Sequence, residues 1–438
     1  MAQFRKDTHT YLEQEKTIFE VVMLADQYGN AIGPANPSGM SVDAFGRART
    51  STPMTLYDSF HRYQDNGKEN QANTAGTTGS FNANTSSIDM VIDTVSGHYC
   101  YRESKRVFAY QPGKSLQILK TFVMNPHKTN LRQRVGYFTS DNGIFLERSD
   151  LTASKVCFVK RSNVTGSIVD TPVDRADWNK DKLDGTGPSL LTLNLDNPQI
   201  LFIDIEWLGV GTVRMGFVIN GQFIHCHSFH HANLDSSPKG PYIQTACLPI
   251  RSEIENIGTT SSSSTYKQIC ATVISEGGYG LTGRPKNFSQ DPRFGVKLTA
   301  AGTFYPVVSI RLNPNTAGAL VVPSAASIVP LNTGIFQYKF IVDGVISGAT
   351  WTSAGSDSFI QYNANVNATI SGGNTLTSGY ITSTVQSGGS LLVLGNDIFR
   401  YQLERNTFAN TTTTLTIAVT CDTATVNCAA SISWEEIT

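Results

Sequence analysis

The densest set of reactive side chains in this 438-residue sequence is His225-Cys226-His227-Ser228-Phe229-His230-His231, with Asp204 and Glu206 two positions apart upstream. Four histidines and a thiol so close together invite a metal, because alternate residues of a strand point to one side and can share a ligand sphere. The detail argues otherwise. On a strand Cys226 points away from His225 and His227, and Arg214 is expected opposite His227, where its fixed charge opposes a divalent cation. Structural or interface histidines are therefore expected, with a metal held by His225, His227, His230 and His231 as the alternative. No catalytic residue and no other cofactor is expected.

These side chains must be placed by strands. Asn220-Gly221 between two β-rich runs, Thr212 to Ile219 and Gln222 to Phe229, demands a two-residue type I′ hairpin. The turn sets Ile219 against Gln222, Phe217 against Ile224 and Met215 against Cys226 on an apolar face. On the other face it sets Val218 against Phe223, Gly216 against His225 and Arg214 against His227. The preceding run, Phe202 to Trp207, alternates too. Pairing Trp207 with Val213 keeps the apolar face continuous and keeps Asp204 and Glu206 out of the core, where desolvation is costly. This register aligns Glu206, Arg214 and His227 in one row and Asp204, Gly216 and His225 in the next. It predicts a Glu206–Arg214 ion pair, a notch at Gly216, and a ligand or subunit contact face made of Asp204, Glu206, Arg214, Gly216, His225 and His227.

The wider chain is expected to be all-β. Short β-rich runs recur from Leu116 to Val123, Arg134 to Phe138, Lys155 to Lys160, Tyr242 to Leu248 and Gln268 to Ser275, with no sustained helical periodicity. A jelly-roll or sandwich is expected over 97–280, a linker over 281–296 and a second, smaller β-sandwich over 297–438. Residues 1–96 are expected to form an extended arm, with Asn66 to Ser87 as loop because it has almost nothing to bury. Gly278-Tyr279-Gly280-Leu281-Thr282-Gly283 matches a phosphate-binding glycine pattern, but Pro285 comes next and no helix opens, so a turn is expected.

Charged residues make up only 16% of the sequence, against about 25% in ordinary domains. The net charge is −1 with both signs interspersed, so no long-range field draws the chain to nucleic acid or an acidic membrane. No apolar stretch reaches the roughly 20 residues that span a bilayer, and Met1 to Asp7 lacks a secretory h-region. Seven cysteines, scattered without close pairs, are expected to be reduced and buried.

The chain resembles two known families. Phe202-Ile203-Asp204-Ile205-Glu206-Trp207-Leu208-Gly209 resembles the active-site strand of laminarinase-like glycoside hydrolases, whose fold is a concanavalin A-like jelly roll. Asp204 and Glu206 match that motif's helper and acid/base positions. Phe202 stands at the nucleophile's position, and retaining hydrolysis needs a second carboxyl there. The resemblance therefore implies the fold without the activity. Longer phrases resemble structural proteins of marine tailed phages: Asp43 to Arg49 with Leu56-Tyr57-Asp58-Ser59, Leu131 to Phe138, Ile205 to Gly209, Val273 to Tyr279, Val308 to Asn313, and Trp434-Glu435-Glu436. This resemblance implies a virion component of neck, tail, baseplate, fibre or capsid surface, assembled in the host cytoplasm. Its implied partners are other virion proteins and copies of itself, with a host surface glycan as the alternative.

Overall fold

The computed structural model describes residues 52–383 and 401–437, apart from 235–238, 279, 281–282 and 317, together with two strands nearer the N-terminus. Those two, β1 (Tyr11–Gln14) and β2 (Thr17–Glu20), form an antiparallel hairpin within a separate unit, Met1–Thr52. The rest of the expected arm before Thr52, including Asp43 to Arg49, lies outside the described residues, as do Tyr279, Leu281 and Thr282 of the glycine-patterned turn at 278–283.

The second unit, Pro53–Thr438, is all-β: two antiparallel sandwiches in succession. The first contains β3 (Pro53–Phe60), β4 (Glu69–Asn73), β5 (Thr78–Asn82), β6 (Ser87–Ile92), β7 (Tyr99–Ser104), β8 (Ser115–Val123), β9 (Leu131–Phe138) and β10 (Gly143–Arg148). It continues through β11 (Val156–Ser162), β12 (Val169–Asp174), β13 (Gln199–Ile205), β14 (Val213–Ile219), β15 (Gln222–Phe229), β16 (Ile250–Asn256) and β17 (Ser264–Glu276). Among the described residues a seven-stranded sheet runs β12-β11-β10-β9-β16-β7-β4. An eight-stranded sheet runs β15-β14-β13-β8-β17-β6-β5, with β3 also on β17. Alternate residues of both sheets, such as Val135, Tyr137, Ile144 and Phe158 on one and Ile118, Phe122, Ile203 and Phe217 on the other, meet in one apolar core.

The second sandwich packs a four-stranded sheet built on Val426–Ile437 against a six-stranded one through Tyr305–Leu312, Thr414–Cys421 and Gly334–Val342. Trp434 is fully enclosed in its core. Residues 402–413 tie the two sandwiches together. Gln402 Nε2 donates to the Val107 carbonyl at 3.0 Å, Arg405 N to the Lys105 carbonyl at 3.0 Å, and Asn70 Nδ2 to the Arg405 carbonyl at 2.7 Å. Glu404 accepts from Arg106 Nε at 2.9 Å, and Leu320 packs on Val107 and Ala109.

Several expectations need correction. The arm does not extend to residue 96: β3 to β6 are strands of the first sandwich, and β3 pairs with the long β17. The expected loop at Asn66 to Ser87 contains β4 and β5. Phe81 is its one large apolar residue, packed against the core, and polar anchors hold the rest: Gln268 Nε2 donates to Glu69 at 2.6 Å, and Thr77 Oγ1 donates to the Tyr99 carbonyl at 2.9 Å. The expected linker contains Arg284–Ser289, a strand paired with Val426–Ile437, and the start of another at Val296. Tyr242 to Leu248 is not a strand but irregular chain that buries Tyr242, Ile243, Ala246 and Leu248. The cysteines are all unpaired; five are buried, Cys247 is partly buried and Cys270 is exposed. No described helix is long and apolar enough to cross a membrane.

Candidate functional site

The hairpin begins as its turn dictates. Asn220 and Gly221 have φ of 53° and 75°, the two positive values of a type I′ turn. Ile219 then faces Gln222, Val218 faces Phe223, Phe217 faces Ile224 and Gly216 faces His225. Beyond that pair the register shifts by one: Met215 faces His227, Arg214 faces Ser228 and Val213 faces Phe229. The bulge at Cys226 inserts an extra residue and re-aims the side chains beyond it. His227 is thereby swung into the core at 6% exposure, its ring 4.6 Å from Phe229 and 6.5 Å from Phe158. It neither faces Arg214 nor shares a face with His225.

The register of β13 differs from expectation by two residues. Ile205 faces Val213, Ile203 faces Met215, Asp204 faces Arg214 and Phe202 faces Gly216. An even slip keeps every side chain on its expected face but changes every partner. Asp204 Oδ2, not Glu206, pairs with Arg214 Nη2 at 3.2 Å. Glu206 is exposed beyond the strand end, where its N–H donates to the Thr212 carbonyl at 3.0 Å. The strand stops because Trp207 is drawn elsewhere: its backbone N–H and that of Leu208 donate to Tyr110 Oη at 3.1 and 3.2 Å, and its indole N–H to the Ile243 carbonyl at 3.3 Å. Leu208 and Gly209, with φ of 38° and 80°, turn the chain toward β14.

The expected notch at Gly216 is filled. A Cβ there would lie 2.7 Å from Cε1 of Phe202, whose own ring is 3% exposed. Phe202 meets Phe223 edge-on at 5.2 Å, and Phe223 is 52% exposed on the outer face of the eight-stranded sheet. Asp204 and Arg214 lie beside this pair. Burial lifts the Asp204 carboxyl above its usual range against the pull of Arg214 and of a hydrogen bond from Gln117, and Glu276 adds to the rise. His225 Nε2 must carry its hydrogen, since it contacts the His227 carbonyl at 3.2 Å as well as Ser228 Oγ at 2.9 Å. Burial pushes the His225 pKa down. The patch thus offers an exposed ring and a half-exposed guanidinium held by the largely enclosed Asp204, a set suited to holding a polar ring-shaped group.

The four histidines of the alternative metal set are dispersed. His225 bonds its own strand and His227 lies in the core. His230 Nδ1 contacts Thr212 Oγ1 at 3.1 Å, and His231 Nδ1 donates to the Gly211 carbonyl at 2.7 Å. Among the described residues no cluster of three or more His, Cys, Asp or Glu is arranged to hold a metal. His230 and His231 instead line a cavity of about 280 Å³ at the end of the sandwich, with Lys160 and Tyr242. Neither partner was legible beforehand: Lys160 ends an expected strand 70 residues upstream, and only the packing of the sheets brings it near.

His227 makes the protein sensitive to acid. Its Nδ1 accepts from the Asn179 N–H at 3.3 Å, so protonation there loses a bond. Burial, with His225 and His230 nearby, pushes its pKa down to about 4. Between about 6.5 and 4 the unfolded chain holds a proton that the folded chain does not, so stability falls as pH falls through that window. His231, also held at about 4 by burial, adds to the slope. In urea titrations at pH 7, 6, 5 and 4, His227→Gln should flatten the dependence by up to about 1.4 kcal/mol per pH unit. An unchanged slope would mean that His227 is charged in the folded state.

No family model matches the sequence, and no curated protein matches it significantly. Solved structures show slight likenesses. The CBM2 module of the evolved Dit of Lactobacillus casei BL23 phage J-1 is 6% identical, with a TM-score of 0.35 over 53% of this chain and all of that one. Arcelin-5, a lectin-like defence protein from Phaseolus vulgaris, is 10% identical, with a TM-score of 0.30 over 52% of this chain and all of its own. A β-1,3-glucanase from Mycobacterium marinum is 10% identical, with a TM-score of 0.33 over 50% of this chain and 98% of its own. Likenesses this slight support no inference about what the chain binds or does.

Proposed function

We propose that this chain is a non-catalytic structural component of a tailed-phage virion that assembles through protein contacts and presents the outer face of its eight-stranded sheet to a host surface glycan. The carrying observation is the patch around Phe223: an exposed ring held edge-on by buried Phe202, beside Arg214, which pairs with Asp204 and keeps 54% side-chain exposure. Aromatic faces and convergent polar groups are what a sugar ring requires. The virion part of the reading draws support from the phage-like phrases, two of which, Leu131 to Phe138 and Val273 to Glu276, form inner strands of the sandwich. The bonds through residues 402–407 hold the two sandwiches as one block, as a building part needs.

The non-catalytic reading rests on Phe202, which has no nucleophile to offer, and on Glu206, which has left the strand that carries Asp204. Mass spectrometry of purified particles should find the chain, and its absence from them would end the virion reading. On an array of host surface polysaccharides, Phe223→Ala should weaken binding about tenfold, roughly 1.4 kcal/mol, with an unchanged melting temperature. No signal from the unaltered chain would remove the glycan from the proposal. Hydrolysis of laminarin abolished by Glu206→Gln would overturn the non-catalytic assignment.

A further inference from the structure

A cavity of about 280 Å³ opens where the end of the seven-stranded sheet meets the loops flanking β14 and β15. It is smaller than the roughly 300–1,000 Å³ that drug-sized ligands occupy, so it suits a single ring-sized unit. Strands β11 and β12 give it Lys160, Ser162, Val169 and Thr171, and the loops opposite give it His231 and Tyr242.

Three features of the lining point to one class of ligand. The Lys160 side chain makes no hydrogen bond or ion pair with any described residue, and burial alone pushes its pKa down. A cation in that state is stabilised by an incoming anion. The second feature is an aromatic wall: the His231 ring lies flat on Tyr242, 3.9 Å between centroids and 7° between planes. The Nδ1–H of His231 is spent on the Gly211 carbonyl, which leaves Nε2 as a bare acceptor, and that atom is enclosed with no hydrogen-bond partner. Third, the hydroxyls of Ser162 and Thr171 stand among the valines, so donors and acceptors alternate with apolar surface, as on a sugar ring.

We propose that this cavity binds one acidic sugar unit, a hexuronate, with its carboxylate on Lys160 and its ring against the His231–Tyr242 wall. The site is separate from the Phe223 patch and does not depend on the virion or glycan-presenting role.

Calorimetric titration of the full chain with D-glucuronate, D-glucose and acetate tests it. D-Glucuronate should bind saturably, with D-glucose and acetate each at least about tenfold weaker, because each lacks one of the two recognised parts. Lys160→Met should lower glucuronate affinity at least about tenfold, and Phe223→Ala should leave it unchanged. Thermal melting of the Lys160→Met chain verifies that it is folded, as expected for a side chain with no partner to lose. If that variant melts early, Lys160→Gln, which keeps the polarity without the charge, takes its place in the titration. The proposal is overturned by an absence of saturable glucuronate binding, by equal binding of acetate, or by full affinity in a folded Lys160 variant.

Discussion

Gly216→Val should destabilise the protein by at least about 3 kcal/mol, at or beyond the upper end of ordinary overpacking. The reason is local. A Cβ on Gly216 would sit 2.0 Å from the Ile224 carbonyl oxygen and under 3 Å from two atoms of the Phe202 ring. The ring can turn away, but the carbonyl belongs to the neighbouring strand and cannot move without breaking the ladder beside the bulge at Cys226. Urea unfolding followed by circular dichroism measures the loss. Adding Phe202→Ala should recover only part of it, since the backbone contact remains. A melting temperature unchanged by Gly216→Val, with binding lost, would instead restore Gly216 as an open contact site.

Glu103→Ala should cost roughly 3–5 kcal/mol, the usual result of removing one partner from a buried ionic network. Glu103, with 2% of its side chain exposed, accepts from Arg251 Nη1 at 2.7 Å and from Thr407 Oγ1 at 2.8 Å, and lies 3.6 Å from Arg405 Nη2. Removing it leaves Arg251 and Arg405 close together with no carboxylate between them. Burial already pushes the Arg405 pKa down, and Arg251 pushes it further, with Glu103 opposing both. Because Arg405 and Thr407 belong to the segment that joins the sandwiches, the variant should also split calorimetric unfolding into two transitions. Glu103→Gln, which still accepts hydrogen bonds, should lose less. A Glu103→Ala loss below about 1 kcal/mol would show that Arg251 is satisfied by Glu253, 2.6 Å away, and that the joint does not depend on Glu103.

Much of this protein was legible in its residues because the deciding interactions are short in sequence. Asn220-Gly221 selects its turn from its own backbone preferences, and the alternation of Ile203, Ile205, Met215 and Phe217 selects the buried face. Both appear in the structure, as does the all-β class implied by runs of β-branched and aromatic residues. What the alternation cannot carry is which pairs form. An even slip of β13 leaves the pattern of burial unchanged, so Asp204 rather than Glu206 reaches Arg214 only because Tyr110 and Ile243, remote in sequence, pull Trp207 off the ladder. The bulge at Cys226 is likewise invisible locally: His227 turns inward to meet Phe158, from the opposite sheet, and Asn179, from the loop before β13. Strands β4 and β5 were hidden for the converse reason. Glu69 of β4 is anchored by Gln268, and Thr77, between the two strands, by Tyr99, partners that exist only once the sheets have formed. Composition and short-range pattern therefore determined the class of fold and the faces of its strands. The occupants of the site depended on tertiary contacts, because hydrogen-bond and packing partners far apart in the chain decide where a strand ends and which way a side chain points.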